Sequence, residues 1–299
     1  MIAVCGEALV DLFPVDATTF TARPGGSPAN TAVALARLGT PTTMVARLSR
    51  DTFGRQLRAH LANNRVDLRV AVDTDDSTAV ALVTSDARGA PTYRFFLEGA
   101  ADWGWTLNEL PQLPAEVRAV HAGSLALAKS PALERLLLRM RPRATICIDP
   151  NVRPAVPMPE MKAALDRWLN LADIIKASAE DLALLAPGAD PIDVASSWQR
   201  RGVSLVIVTL GADGALAVFG EQVLTSAALR VDVVDTVGAG DAFTAGLLHA
   251  MHRGGLLGGR LERMTSADVE PVLAAAVEAA GRACEHAGAQ ATRGPRWLG

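Results

Sequence analysis

Six short apolar runs recur along this 299-residue chain with helical patterns between them, and that alternation limits the fold more than any other feature. The runs lie at 2–5, 43–48, 117–121, 144–148, 173–176 and 204–209. Several, such as "ATICI" and "SLVIVT", are apolar on both faces, as a strand between two helix layers must be. Helix patterns fall at 28–38, 52–63, 130–141, 159–170, 190–201, 239–253 and 268–287. Such alternation predicts an α/β fold, a central and mostly parallel sheet with helices on both faces. Two stretches break the rhythm. Residues 8–23 and 68–98 carry strand patterns and turn signals with no helix, and "DARGAP" between "TAVALVTS" and "TYRFFLE" predicts a hairpin turn. They predict a small β-sheet that projects from the body and covers a site; extra edge strands of the main sheet are the alternative. No repeat or linker interrupts the chain, so residues 1–299 are expected to form one domain.

A hydrophobic content of 49% is enough for a sizeable core. The formal net charge is −3 without a basic block, which argues against nucleic acid as a partner. Lysine stands only at 129, 162 and 176, so a lysine in a site-like context stands out. Cys5, Cys147 and Cys284 are far apart in apolar runs and read as free thiols of a cytoplasmic protein. "MIAVCGEALVDL" reads as a first strand and not as a signal peptide. The longest apolar run, "PVLAAAVEAAGRAC", meets Glu278 and Arg282 too soon for a membrane span. His249, His252, Cys284 and His286 have no CxxC or HExxH spacing and read as helix residues, not as metal ligands.

Two glycine turns carry the chemistry. "GGSPAN" (25–30) joins the projecting strands to a helix. Its glycines permit close backbone approach, Ser27 suits an N-cap, Pro28 suits the first helical position, and Asn30 both donates and accepts. A plain loop-to-helix junction would read the same way. "GAGD" (238–241) is sharper. A helix starting near Ala239 aims its free N–H groups at an anion, and the glycines leave room for a phosphate. Asp241 is then an acid beside that anion, a repulsive placement unless it takes a proton from a nucleophile attacking phosphorus. A favourable charge at a helix start is the plainer reading. Rival nucleotide motifs are missing: Phe243 replaces the third glycine of G-x-G-x-x-G, no Gly-Lys pair exists, and Ala29 spoils G-x-S-x-G.

With both turns in this order, the chain resembles the ribokinase-like (PfkB) carbohydrate kinases over essentially its whole length. "GGSPANTAVALARLG" resembles the first family signature and "DTVGAGDAFTAGLL" the second; "DPNVRP", "KASAED" and "VTLGADGA" fall where members carry substrate-side, phosphate-side and nucleotide-side motifs. The resemblance implies a ribokinase-like fold with a lid and ATP-dependent transfer to a sugar hydroxyl. It implies Asp241 as base, with Gly238, Ala239 and Gly240 as anion hole. Asp11, Gly25, Gly26 and Asn30 would bind sugar, with Arg153 as a further substrate contact. Lys176, Ser178, Thr209, Gly211 and Gly214 would lie along ATP. Mg²⁺ would accompany the nucleotide, with Asp181 reaching it through water. A monovalent cation such as K⁺ and a homodimer through the lid are further family features.

This chain departs from the family pattern at Ser49, at Ser178 and Asp181 in place of the Asn-x-x-Glu metal motif, and at Leu97, where many fructokinases and ketodeoxygluconate kinases carry arginine. Ser27 stands where ribokinases and phosphofructokinases carry lysine. Few cations then remain for an anionic acceptor, which points to fructose. 2-Keto-3-deoxygluconate is the nearest alternative, followed by ribose or a nucleoside. A binding protein without catalysis is the remaining class, and the intact Asp241 argues against it.

Overall fold

The computed structural model describes residues 1–85, 91–286 and 288. β1 (Ile2–Cys5) is buried at every position and lies inside an eight-stranded sheet. Its neighbours are β4 (Thr42–Val45) and β9 (Ala119–Gly123), and both pair with it in parallel. β10 (Thr145–Asp149), β11 (Ile174–Ser178) and β12 (Leu205–Thr209) continue the parallel ladder outward from β9. The apolar runs predicted these strands because a strand covered on both sides has no polar face to show. The third run, 117–121, forms β9, which begins two residues later than the sequence suggests. The 43–48 run splits, its second half forming β5 (Arg47–Ser49), which leaves the sheet to pair with β6 (Val72–Thr74).

The sheet ends in a hairpin that the alternation did not predict: β13 (Ala215–Phe219) pairs antiparallel with β12, and β14 (Gln222–Ser226) antiparallel with β13. Its turn uses Gly220 at φ 58°. Gly214 enters β13 at φ 94°, and a methyl there would overlap the Ser226 carbonyl oxygen. Glycine at 214 is thus required by the packing of β13 on β14.

Helices cover both faces. α3 (Leu125–Lys129), α4 (Pro131–Met140), α5 (Met158–Trp168), α6 (Ala179–Leu185) and α7 (Pro191–Arg200) enclose one core, which holds Leu133, Trp168, Leu182 and Trp198. α1 (Ser27–Arg37), α2 (Thr52–Asn63), α8 (Ala239–Arg253) and α9 (Ser266–Cys284) enclose the other, around Leu35, Leu57, Phe243 and Val272. Strand residues divide by parity, Ala3 and Cys5 to the first core, Ile2 and Val4 to the second. α8 lies close on α9 because Gly246 has no side chain: a methyl there would come within 2.6 Å of Ala279 Cβ and 3.0 Å of the Ala275 oxygen. That contact sets the depth of α8 and the position of its N-terminus.

The small sheet is separate from the main one. Its order is β3-β2-β7-β8, with β2 (Leu9–Pro14), β3 (Phe20–Gly25), β7 (Val80–Ser85) and β8 (Pro91–Phe96). Two hairpin-like pairs are joined by the parallel pair β2–β7. The first segment runs to Gly25, beyond the 8–23 of the sequence pattern, and β6 belongs to the main body. The expected turn at "DARGAP" falls on 86–90, outside the described residues, as does 287 at the end of the last helix pattern.

Candidate active site

In a parallel sheet the strands finish on one edge, and a helix starting there adds its N-terminal N–H groups to that edge. β10 ends here in Asp149, β11 in Ser178 and β12 in Thr209. α8 starts beside them, as the sequence predicts, at Ala239, with Gly238 left-handed at φ 81° as its N-cap. A residue with a side chain would be strained at that φ. The N-terminal amide of Ala239 turns back to the Thr236 oxygen at 3.2 Å. Gly240 in the first turn has no such helical partner by position, and a methyl on it would stand 3.1 Å from Lys176 Nζ. Gly240 and Lys176 thus share one cradle, a basic head beside a bare helix start, which fits a phosphate.

Asp241 sits three positions into α8. Ser27 Oγ donates to its Oδ1 at 2.6 Å, and Asn30 Nδ2 donates to Oδ2 at 2.9 Å. Burial pushes the carboxyl up to about 6, against the two hydrogen bonds and the Lys176 charge that favour the anion. Such a group is ionised at neutral pH yet basic enough to take a proton. Ser27 does not cap α1: the N-cap is Gly26 at φ 99°, without a side-chain hydrogen bond, and Pro28 is the second helical residue. The helix starts one residue earlier than its residue types predict, because the serine hydroxyl goes to Asp241.

Asp11 lies on β2 opposite Arg23, its carboxyl also raised to about 6 by burial and then by the Asp241 charge. Gly25 admits it, since a methyl at 25 would overlap Asp11 Oδ2. At Gly26 a methyl would approach the Glu7 oxygen to 2.8 Å. Tyr93 on β8 faces the same space: burial raises its hydroxyl, Asp11, Asp235 and Asp241 add to this, and Arg153 opposes. Sequence reasoning did not single out Tyr93, although "TYRFF" places an alternating aromatic strand there.

Lys176 is buried and paired with Asp149 at 2.8 Å. Burial alone would lower its pKa, but Asp149, followed by Asp181 and Asp241, holds it above the ordinary lysine value. Asp149 was missed as a partner; its signal is an acid closing a fully apolar strand. With Asp149 taken, Arg153 makes no ion pair among the described residues, and its guanidinium donates to the Val152 oxygen at 2.9 Å.

Asp181 and Ser178 are used locally. They form a capping box at the start of α6: Asp181 Oδ2 accepts from the Ser178 N–H and hydroxyl, both at 2.8 Å. Its Oδ1 accepts the Val152 N–H at 2.7 Å, which ties down the loop that carries Arg153. That bonding, with only 4% of Asp181 exposed, leaves it poorly placed to reach a metal through water. Among the described residues no cluster of three or more His, Cys, Asp or Glu could hold a metal ion. Thr209 is half-buried, and Gly211 at φ 59° has open space where a side chain would be.

Two further buried acids went unnoticed in the sequence. Glu7 follows β1 and accepts from Ser124 Oγ at 2.9 Å and Ala126 N at 3.0 Å. Asp102 accepts the Ala8 N–H at 2.9 Å through Oδ1, while its Oδ2 has no partner. Burial, with the Glu7 charge adding, pushes Asp102 up to about 8. Both stand where the chain crosses between the two sheets. No helix among the described residues is long and apolar enough to cross a membrane.

Comparison with known proteins bears on the fold and the family. The chain is 37% identical over 266 residues to a fructokinase of Rhizobium leguminosarum bv. trifolii, an alignment that spans 86% of this chain and 81% of the relative. Among solved structures, the Vibrio cholerae O395 fructokinase with fructose, ADP and calcium bound superposes with a TM-score of 0.80 at 26% identity, covering 96% of this chain and 94% of that one. The aminoimidazole riboside kinase of Salmonella enterica, solved with aminoimidazole riboside and an ATP analogue, also has a TM-score of 0.80, at 30% identity and the same coverage. The ribokinase-like fold expected from the sequence is therefore the fold observed. The model of the pfkB family carbohydrate kinases matches residues 1–295, and the chain belongs to that family.

Proposed function

We propose that the protein is a fructokinase that transfers the γ-phosphoryl group of ATP to the 6-hydroxyl of fructose. The observation that carries this is Asp241, a half-buried carboxylate held by Ser27 and Asn30 at the bare N-terminus of α8. Asp241 takes the proton of the acceptor hydroxyl. The Gly238 and Gly240 N–H groups, on either side of Ala239, face the phosphoryl group, and their fixed dipoles oppose its charge. Asp11, Gly25, Gly26 and Asn30 form the sugar side. Thr209 and Gly211 lie along the nucleotide, and Lys176 neutralises its phosphates. A Mg²⁺ ion accompanying the nucleotide would supply further screening of that phosphate charge. The small sheet acts as a lid over the acceptor.

Fructose is favoured because Ser27 and Leu97 replace cations and Asp11 repels an anion. Arg153 supports a second reading: without an acid partner, and close enough to bear on Tyr93, it would suit the carboxylate of 2-keto-3-deoxygluconate. ADP release at saturating MgATP, measured with fructose, 2-keto-3-deoxygluconate, ribose and aminoimidazole riboside in K⁺ and in Na⁺, decides between them. Fructose should lead by at least roughly tenfold in kcat/KM, about 1.4 kcal/mol. A preference for the acid that vanishes in Arg153→Ala assigns the second reading. ATP as donor and unpaired thiols fit a cytoplasmic setting. The exposed Phe20 and Phe96 on the two edge strands of the small sheet suit a homodimer through the lid, which light scattering tests.

A further inference from the structure

Ser27 opens α1, and a helix-opening serine ordinarily spends its hydroxyl on its own helix. Here that hydroxyl crosses 214 positions of sequence to Asp241 Oδ1, at 2.6 Å, a length typical of a strong hydrogen bond to an anion. Asn30, one turn further along α1, holds Oδ2 at 2.9 Å. One donor on each oxygen fixes the plane of the carboxylate. The other groups facing it are Lys176 from β11, Asp149 from β10, Asp11 from β2 and Tyr93 from β8. Burial works against the anion, and the Ser27 hydrogen bond is the largest single influence in its favour.

We propose that Ser27 is a positioning residue of phosphoryl transfer, orienting Asp241 through Oδ1 so that Oδ2 is presented to the acceptor hydroxyl. A carboxylate oxygen accepts two hydrogen bonds, so Oδ2 keeps a lone pair for the sugar beside the one Asn30 uses. In the transfer the hydroxyl proton moves to Oδ2 and the sugar oxygen bonds to phosphorus. The bond from that phosphorus to the β–γ bridging oxygen breaks, and ADP leaves with the electron pair. Ser27 keeps its own proton throughout and holds the anion that must exist before the step.

This role rests on Asp241 being the base, so the experiment separates the two. The pH profiles of kcat and kcat/KM for fructose are measured for the native enzyme, Ser27→Ala, Ser27→Thr and Asp241→Asn. A lost hydrogen bond to a charged group shifts its titration by about one pH unit. Ser27→Ala should therefore move the acid limb upward by about one unit, with roughly tenfold loss below the limb and a smaller loss at high pH. Ser27→Thr, which keeps the hydroxyl, should leave the limb in place, and KM for MgATP should not follow the change. Should the alanine variant fail to fold, Ser27→Cys, a weak donor of similar shape, reads the same limb. An unmoved limb, or an equal loss at every pH, overturns the proposal. If Asp241→Asn turns over normally, the base assignment itself falls and Ser27 with it; if it is inactive while the Ser27→Ala limb stays put, only the role of Ser27 falls.

Discussion

Replacing Lys176 by methionine removes one half of a buried ion pair and leaves the other half in place. At 2.8 Å, with an effective dielectric constant of about 20, the attraction between Lys176 and Asp149 is on the order of 6 kcal/mol. Most of that is offset by the cost of taking both ions out of water, several kcal/mol each, so the intact pair adds little net stability. The single variant loses the attraction and keeps the cost of burying Asp149. Breaking such a pair costs about 3–5 kcal/mol. The lower end applies here, because Asp149 also accepts the Asn151 N–H at 3.1 Å. A loss of about 3 kcal/mol is a large share of the ~5–15 kcal/mol that holds a typical domain together. With a urea slope of about 3 kcal/mol/M it lowers the midpoint by about 1 M. Asp149→Asn combined with Lys176→Met removes both charges and should recover part of the loss, giving a coupling of about 1–3 kcal/mol in a double-mutant cycle. The same variant deprives Asp241 of the cation that favours its ionised form, so the acid limb of turnover should rise toward neutral pH. A cost below about 1 kcal/mol, or additivity within about 0.5 kcal/mol, would refute the buried pair as the organiser of this edge.

Gly25→Ala should lower kcat/KM for fructose by tenfold or more while KM for MgATP holds, since the methyl would overlap Asp11 Oδ2; steady-state kinetics in both substrates check this, and parallel losses would contradict it. Asp102 keeps its proton in the folded state up to about pH 8, whereas the unfolded carboxyl loses it near 4. The folded state therefore binds more protons in that window, and stability falls as pH rises from about 4 to about 8. Asp102→Asn cannot titrate, so its urea midpoints between pH 5 and 8 should decline less steeply than those of the native protein; identical slopes would count against it. Strands projecting from the main sheet bury little surface of their own, so saturating fructose should slow amide exchange at 9–25, 80–85 and 91–96 more than in α4 or α5. Equal protection with and without sugar would argue against a lid.

The parallel strands were legible because each is covered on both sides and must be apolar throughout, which no alternating pattern imitates. The β13–β14 hairpin was not, since "ALAVFGEQVLTS" mixes apolar and polar positions and adjoins a motif read for its glycines. The "F-G-E" turn was its available signal. Asp241 and its glycines were legible as a conflict: an acid where a phosphate is expected. Asp181 illustrates the opposite limit. An acid three residues after a serine also spells a capping box, and the hydrogen bonds place it there. The long-range pairs were beyond local reading. Ser27 with Asp241, Lys176 with Asp149 and Asp102 with Ala8 depend on how the strand ends converge, and nothing in their neighbourhoods names the partner.

The small sheet is assembled from two inserts, both in the first third of the chain, and they bring Asp11, Gly25 and Tyr93 with them. Thr209, Gly211 and the turn before α8 come from the last third. Most of the residues proposed to face the acceptor are thus encoded apart from those proposed to lie along the nucleotide, and the two groups meet only in the fold. The two segments are nonetheless joined at the base, since Ser27 and Asn30 at the end of the early one hold Asp241 of the later one. A substitution at 27 or 30, early in the chain, is thus felt at 241, near its other end.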